Sequence, residues 1–387
     1  ALISARRILY ISWLGRHQKD NSIRPPSVVV SELLDYLERS FVSSTGDPLV
    51  PPVTEHPLQP FSTRCFDGTP GTRSYAGKWL PAGETGEQTR FVSRPLPEPS
   101  EEWRTVEVDR LVRFWANPVQ FFLQQRLEMR VREDDDLLEE NEPFLPGHLD
   151  RYALAGRMID DRLRERKTEA AYKQLRAEGA LPHGSFGSNF YQELSAAVDL
   201  FLPGIESLLQ DPHDPLEVDI TIDSFRLTGW IGGLYGSGCI RYRPAKLKGR
   251  DLVKIWVEHL IHNAMAGPEH RRRSVYAASD RTVTFRPVEE PLVELKTLLG
   301  FYWQGLSMPL HFYPETSRAW FEGGEECGES AARKVWHRGF NTKGEGESLV
   351  YRIALQGVEP LDQDFARTAA AVYGPLNEYL EQGIAGV

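Results

Sequence analysis

The chain has little cysteine. Its three thiols, Cys65, Cys239 and Cys327, are odd in number and far apart. That pattern fits neither a disulfide framework nor a zinc site, and it points to a reducing, cytoplasmic setting. Long apolar runs are missing too: nothing approaches the roughly 20 consecutive apolar residues that span a bilayer, and no signal peptide is visible. No membrane partner is therefore expected. Positive charge is outweighed, 45 Lys and Arg against 55 Asp and Glu for a net charge of −10. This excludes a general nucleic-acid coat protein, because any contact with phosphates must come from local patches. The phosphate-binding loop of a motor is absent, as is any internal repeat. There is no opening methionine, and the first residues run straight into the apolar "RRILYISWLGR", so the chain reads as a piece of something longer.

What is present is a long chain, 387 residues of which 41% are apolar, enough for two or three domains of about 150 residues. Residues 7–14 read as a β-rich run. In "RPPSVVVSELLDYLERSF", Pro25 and Pro26 stop what precedes them, and Ser27 can cap a helix with Val30, Leu33, Leu34 and Leu37 on its apolar face. Residues 44–104 are rich in Pro, Gly, Ser and Thr yet carry Phe61, Phe66, Tyr75 and Trp79, the mark of an ordered, irregular connector. A further unit, 105–387, opens with "LVRFWANPVQFFLQQRL", a helix entered through Asn117-Pro118 with Phe122, Leu123 and Leu127 on one face. The acidic stretch 133–142 reads as a solvated loop.

Helices are expected at 148–164, 167–178, 188–209, 250–266, 291–304, 328–338 and 362–381. Strict alternation at Leu216, Val218, Ile220 and Ile222 marks a half-buried strand. It starts a meander through 225–232 and 237–243, with more strands at 274–278 and 281–288. Helices flanking a strand cluster make the class α/β.

The glycines of "GGLYGSG" (Gly232, Gly233, Gly236, Gly238) suggest a phosphate loop, but that motif needs a helix N-terminus after it. A strand follows instead, so a hairpin turn is expected. His259 and His262 are three apart on one helix without a third metal ligand in a convincing position, which reads as a surface pair on the helix's polar side. His311, among apolar residues, reads as a satisfied structural histidine.

The stretch "LTGWIGGLYGSGCIRYRPAKLKGRD", 227–251, resembles the PD-(D/E)xK nucleases, and their RecB-like branch in particular. In those enzymes an acid on each of two strands holds Mg²⁺, a lysine two residues later orients the attacking water, and a helix follows. Here Gly232 stands at the first acid, Arg241 at the second and Arg243 at the lysine; the helix lacks that branch's Gln-Leu pair, having Asp251-Leu252. Mg²⁺ demands hard oxygen ligands. Glycine offers no side-chain oxygen, and a guanidinium does not deprotonate in a protein. At ~4 Å and an effective dielectric near 20, a unit-charge pair is worth about 4 kcal/mol, and Arg beside a divalent ion is repelled by roughly twice that. Asp219, Asp223 and Asp251 are the nearby acids in sequence, and Arg243 is expected to serve as counter-charge to Asp219 or Asp223. At the N-terminus, "ISARRILYISW" resembles the sixth motif of superfamily 1 helicases, with Ser4 where the phosphate-sensing arginine belongs.

A degenerate helicase end (1–43) joined to a degenerate nuclease core resembles the RecC family, the gamma chains of exodeoxyribonuclease V. "YISWLGR", "HPLQPFS", "LPGHLDRYAL", "GFYWQGLSMPLHFYPETS" and "YRIALQG" resemble it as well. The resemblance implies a restriction-endonuclease-like core with a central mixed sheet and a non-catalytic subunit of a helicase-nuclease. Its partners would be RecB-like and RecD-like chains, double-strand ends and separated single strands; Mg and ATP would be used by those partner subunits, with no cofactor for this chain. The candidate DNA contacts are Arg241, Arg243, Lys246, Lys248 and Arg250, and a second cluster, Arg271, Arg272 and Arg273 beside Tyr276. The alternative is a docking scaffold whose basic residues meet the chain's own acids or an acidic partner, without touching DNA.

Overall fold

The computed structural model describes residues 5–17, 20, 22–47, 53–77, 90–131, 146–166, 168–337, 339 and 343–385. The chain divides into two compact units, Ala1–Glu87 and Gln88–Val387. The smaller contains helix α1, Val28–Ser40. Ser27 stands at its N-cap in extended conformation but makes no side-chain cap bond. Val30, Leu33, Leu34 and Leu37 are the half-buried face, as the spacing predicts. The β-rich reading of 7–14 is not realised. Those residues form no strand, Ile8, Tyr10 and Leu14 are exposed, and the nearest pairing is a lone bridge between Arg16 and Ile23. A strand needs a partner, and β-propensity alone does not supply one. Within 53–77 the chain is irregular but ordered around buried Cys65 and Thr72, whose hydroxyl donates to Arg64 O. Trp79 and the acidic stretch 133–142 lie outside the described residues.

The larger unit is α/β. A short strand β1 (Thr105–Glu107) runs parallel to β4 (Phe225–Ile231), which pairs antiparallel with β3 (Leu216–Ile222). A second, mixed sheet has the order β2-β5-β6-β7-β8-β9: Pro212–His213, Leu234–Tyr235, Gly238–Arg243, Ser274–Ala278, Arg281–Phe285 and Leu380–Ala385. The expected meander is therefore broken. β3 and β4 form a hairpin in one sheet, the glycine turn intervenes, and β5 and β6 belong to the other. β6 and β7 are parallel, joined by helix α7, Gly249–Met265.

The opening helix comes in pieces. α2 (Val108–Ala116) stops at Asn117, whose side chain accepts from Gln120 N and starts α3 (Pro118–Phe121), and a π-turn follows at Phe122–Arg126. Helices α4 (His148–Leu163), α5 (Thr168–Ala177) and α6 (Gly184–Leu208) form a subsidiary core around Ile159, Leu175, Leu194 and Val198. α8 (Pro291–Gly305) and α11 (Gln363–Tyr379) match expectation. α9 runs from Pro314 to Trp336 and so begins far ahead of the expected 328. Gly323, Gly324 and Gly328 interrupt its apolar period, and Gly324 carries a kink at φ 64°. α10 (Leu349–Ala354) is too short for periodicity to reveal.

α7 organises the main core. Leu252, Val253, Trp256, Val257, Leu260 and Ile261 are all buried against α2, α8 and the strands. Its histidines lie on the enclosed side, which corrects their surface reading: His259 is 0% exposed and His262 1%. Buried polar groups need internal partners, and His259 has them, whereas His262 Nδ1 has none among the described residues. His259 Nε2–H donates to Arg286 O (3.0 Å), leaving Nδ1 to accept from the Ser274 hydroxyl (2.8 Å). Asn263 donates to His259 O and accepts from Val288 N.

Burial pushes the His259 pKa down to about 3 and that of His262 to about 4, the latter helped by His270, Arg241 and Arg272. Both values lie below the unfolded 6.5, so only the unfolded chain takes up protons as pH falls through 6.5, and stability drops with it. Between pH 7 and pH 5 the loss should be about 2 kcal/mol per histidine. Urea unfolding at the two pH values measures it. His259→Gln should be less stable at pH 7 and show a shallower pH dependence, and an unchanged slope would contradict the assignment.

Candidate functional site

A cleft of about 1020 Å³ opens where β6 ends and α7 begins. The two arginines of the glycine-turn motif line it, and neither is free. Arg241 pairs through Nε with Glu258 Oε2 at 2.8 Å, and its Nη1 donates to Gly232 O and Ile240 O, both at 3.0 Å. Arg243 Nη1 meets Asp251 Oδ2 at 2.7 Å and stacks over Tyr152, 5.0 Å from the ring centre. The side chains of the second pair are 18% and 7% exposed, so it is largely withdrawn from water and screened little by salt. Asp251 Oδ2 also accepts from Lys248 N at 3.2 Å, capping the helix that carries it.

Two further carboxylates hold the backbone of the cleft. Glu315 accepts from Gly249 N at 2.8 Å, at the start of α7. Glu345 accepts from Thr316 N (2.7 Å) and Thr316 Oγ1 (2.6 Å), at the start of α9. Burial pushes the Glu345 carboxyl up, against those hydrogen bonds. The two helix N-termini meet so closely that a Cβ at Gly249 would lie 2.5 Å from Pro314 O, which is why a residue without a side chain stands there. Acids at helix N-termini also offset the positive end of the dipole.

Of the three motif positions, Arg241 touches Gly232 through the glycine's carbonyl, while Arg243 turns to Asp251 and Gly232 is not among the residues lining the cleft. A Cβ at Gly232 would meet nothing within 4 Å, whereas one at Gly233, which has φ +66°, would strike Arg241 Nη1 at 2.5 Å. The donor set does not fit a hard divalent ion: the first position offers only a backbone carbonyl, already bonded to a guanidinium, and the next two are cations. Among the described residues no group of three or more His, Cys, Asp or Glu side chains is placed to hold a metal. Cys239, buried on β6, is inert, its thiol pushed up to about 11 by burial.

Other expectations change. Asp219 and Asp223 are not partners of Arg243. Asp219 makes a two-pronged pair with Arg226 at 2.8 and 2.7 Å, and Asp223 pairs with Lys296 at 2.9 Å. Tyr276 cannot stack on a base: it is buried on β7, 7% exposed, and burial pushes its phenol up. In the second basic cluster Arg273 pairs with Glu381 at 3.1 Å and Arg272 donates to Ala266 O. Lys246, Lys248, Arg250 and Arg271 are exposed, and their side chains have no partner among the described residues. Ser4 lies outside those residues. His311 is a satisfied histidine, 3.0 Å from Asp362.

The sequence reading missed Glu258, Lys254 and Tyr152, and it placed Asp251 outside the frame. A signal for three of them exists: Asp251, Lys254 and Glu258 recur at intervals of three and four in "RDLVKIWVEHL", a polar stripe on an otherwise apolar helix.

Comparison with known proteins gives one family. The model of the RecC C-terminal domain matches residues 103–325, more than half of the chain. The RecBCD enzyme subunit RecC of Escherichia coli strain K12 is 33% identical over 340 residues, 83% of this chain and 29% of that protein. That of Haemophilus influenzae is 30% identical over 318 residues, 79% and 28% of the respective chains. That of Mycolicibacterium smegmatis is 27% identical over 360, 87% and 32%. The chain spans less than a third of the length of these relatives.

Removing one partner of a buried pair strands the other. Asp251→Asn should cost about 3 kcal/mol by leaving the Arg243 guanidinium uncompensated. Asp219→Asn, in an exposed pair, should cost less than about 1 kcal/mol. Urea unfolding midpoints of the two variants make the comparison, and equal small effects would mean that Arg243 escapes to solvent.

Proposed function

The chain belongs to the RecC family, and on that premise we propose that it is part of a non-catalytic subunit of an ATP-dependent helicase-nuclease acting on double-strand DNA ends in recombinational repair. In this reading residues 105–387 are an inactive RecB-like nuclease domain, 1–43 the end of a degenerate superfamily 1 helicase-like domain, and 44–104 the connector. The subunit guides separated strands and docks RecB-like and RecD-like chains, which use the Mg and ATP. The setting is the cytoplasm. No helix among the described residues is long and apolar enough to cross a membrane.

One observation carries the loss of catalysis. The two metal-holding positions of the resembling nucleases are here Gly232 and Arg241, the lysine position is Arg243, and both arginines are tied to carboxylates, Glu258 and Asp251. Phosphodiester hydrolysis by that scheme needs a Lewis-acid centre and an activated water, and a guanidinium locked to a carboxylate supplies neither.

The pairing of Arg241, Arg243, Arg272 and Arg273 inside the chain favours a second reading, a docking scaffold that does not contact DNA. It leaves fewer cations for phosphates than the sequence offers, so salt-sensitive binding should be milder than the full clusters would give.

The expected outcome is co-purification with RecB-like and RecD-like chains, with no cleavage of linear duplex by this chain alone in Mg²⁺ or Mn²⁺ and no ATP hydrolysis. Metal-dependent cleavage abolished by Asp251→Asn would overturn the non-catalytic reading, and failure to associate with either chain would overturn the subunit reading.

A further inference from the structure

We propose that the cleft between β6 and α7 is a metal-independent seat for the phosphodiester backbone of single-stranded DNA, held by Lys248, Arg250 and Lys254. This rests on the reading of the chain as a strand-handling subunit.

Every acid on the cleft wall has an internal partner. Glu258 is bonded to Arg241, Asp251 to Arg243 and Lys248 N, Glu315 to Gly249 N, and Glu345 to Thr316. Lys248, Arg250 and Lys254 line the same cleft, and their side chains have no partner among the described residues. Arg241 and Arg243 offset Glu258 and Asp251, and the five cations on the wall outnumber its four carboxylates, an arrangement that favours an anion from outside. Residues 250 and 254, one helical turn apart, share a face of α7.

Shape and aromatic content narrow the anion to one strand. The cations line the wall of a cleft, a concave surface that suits a single backbone better than the convex cylinder of a duplex. Tyr152, 40% exposed with Arg243 over one face of its ring, and Tyr242, half-buried against the α4–α6 core, line the same space. Cations that follow a backbone beside aromatic rings that accept bases are the combination by which single strands are held without sequence preference. An acidic peptide would use the cations but not the exposed part of the Tyr152 ring. The geometry also accounts for metal independence, because the guanidiniums of Arg241 and Arg243 already neutralise Glu258 and Asp251.

The test is fluorescence anisotropy of the 387-residue chain with a short labelled oligothymidylate, in EDTA and in Mg²⁺. Three phosphate contacts should weaken binding about 20-fold between roughly 50 and 200 mM salt, equally in both buffers. The triple variant Lys248→Gln, Arg250→Gln, Lys254→Gln should bind at least about tenfold more weakly, with a flattened salt response. Lys246→Gln with Arg271→Gln, which removes free cations outside the cleft, should bind like the parent. Photocrosslinking of a bromodeoxyuridine oligonucleotide to the unaltered chain needs no variant and should modify Tyr152 or Tyr242. A cleft variant that melts like the parent and binds as tightly, an absolute need for Mg²⁺, adducts only outside the cleft, or displacement by polyglutamate at equal charge concentration would each overturn the proposal. Such a result, with association to RecB-like and RecD-like chains intact, leaves the subunit reading standing; loss of that association in the parent chain sinks the reading itself.

Discussion

Two ion pairs tie strand β6 to helix α7, and the arrangement around the cleft depends on them. Arg241 and Arg243 project from alternate positions of one strand, and Asp251 and Glu258 lie two turns apart on the helix that follows it. Each pair has little water around it, so the charges must match: an unpaired ion there is costly, while the pair relative to an apolar substitute is close to neutral. The arginines are therefore weak evidence for stability and strong evidence about electrostatics. They fix a positive charge against each acid of α7.

The surroundings follow from that constraint. Asp251 holds Arg243 and caps α7 with the same oxygen, so the pair and the helix start form together. Glu315 and Glu345 repeat the device where α7 and α9 begin, which draws the two N-termini close enough to require Gly249. Tyr373 donates its hydroxyl to Pro314 O, tying α11 to the same point. Behind this polar layer α7 is enclosed by apolar side chains, and its histidines are kept neutral by burial.

Much of this was legible in the sequence, in places where a local rule operates. The alternation of 216–222, the Asn117-Pro118 entry and the apolar period of α7 each fix an element, because period and capping are set by neighbours in the chain. What escaped was non-local. Spacing cannot tell which side of α7 meets solvent: Lys254 and Glu258 line the cleft, while His259 and His262 lie on the enclosed side. It cannot choose the acid that meets Arg243: Asp219 and Asp223 are closer in kind to the nuclease frame, but the fold gives them Arg226 and Lys296. Tyr276 beside three arginines reads as an exposed platform, whereas its strand is interior to the sheet. The β-rich run at 7–14 has propensity without a partner strand.

The central claim is that guanidiniums stand where the resembling fold would place a metal. Gly232→Asp, Arg241→Asp and Arg243→Lys together would return the acids and the lysine to that frame, and Gly232 has open space for the new side chain. With Asp251 and Glu258 left in place, the added carboxylates would crowd like charges and lower the melting temperature in EDTA. A cation bound only by the folded state would then restore part of the loss. Thermal melts of this triple variant with and without Mg²⁺ decide the matter: the account predicts a lower melting temperature in EDTA that rises with Mg²⁺, and a variant as stable as the parent and indifferent to Mg²⁺ would contradict it.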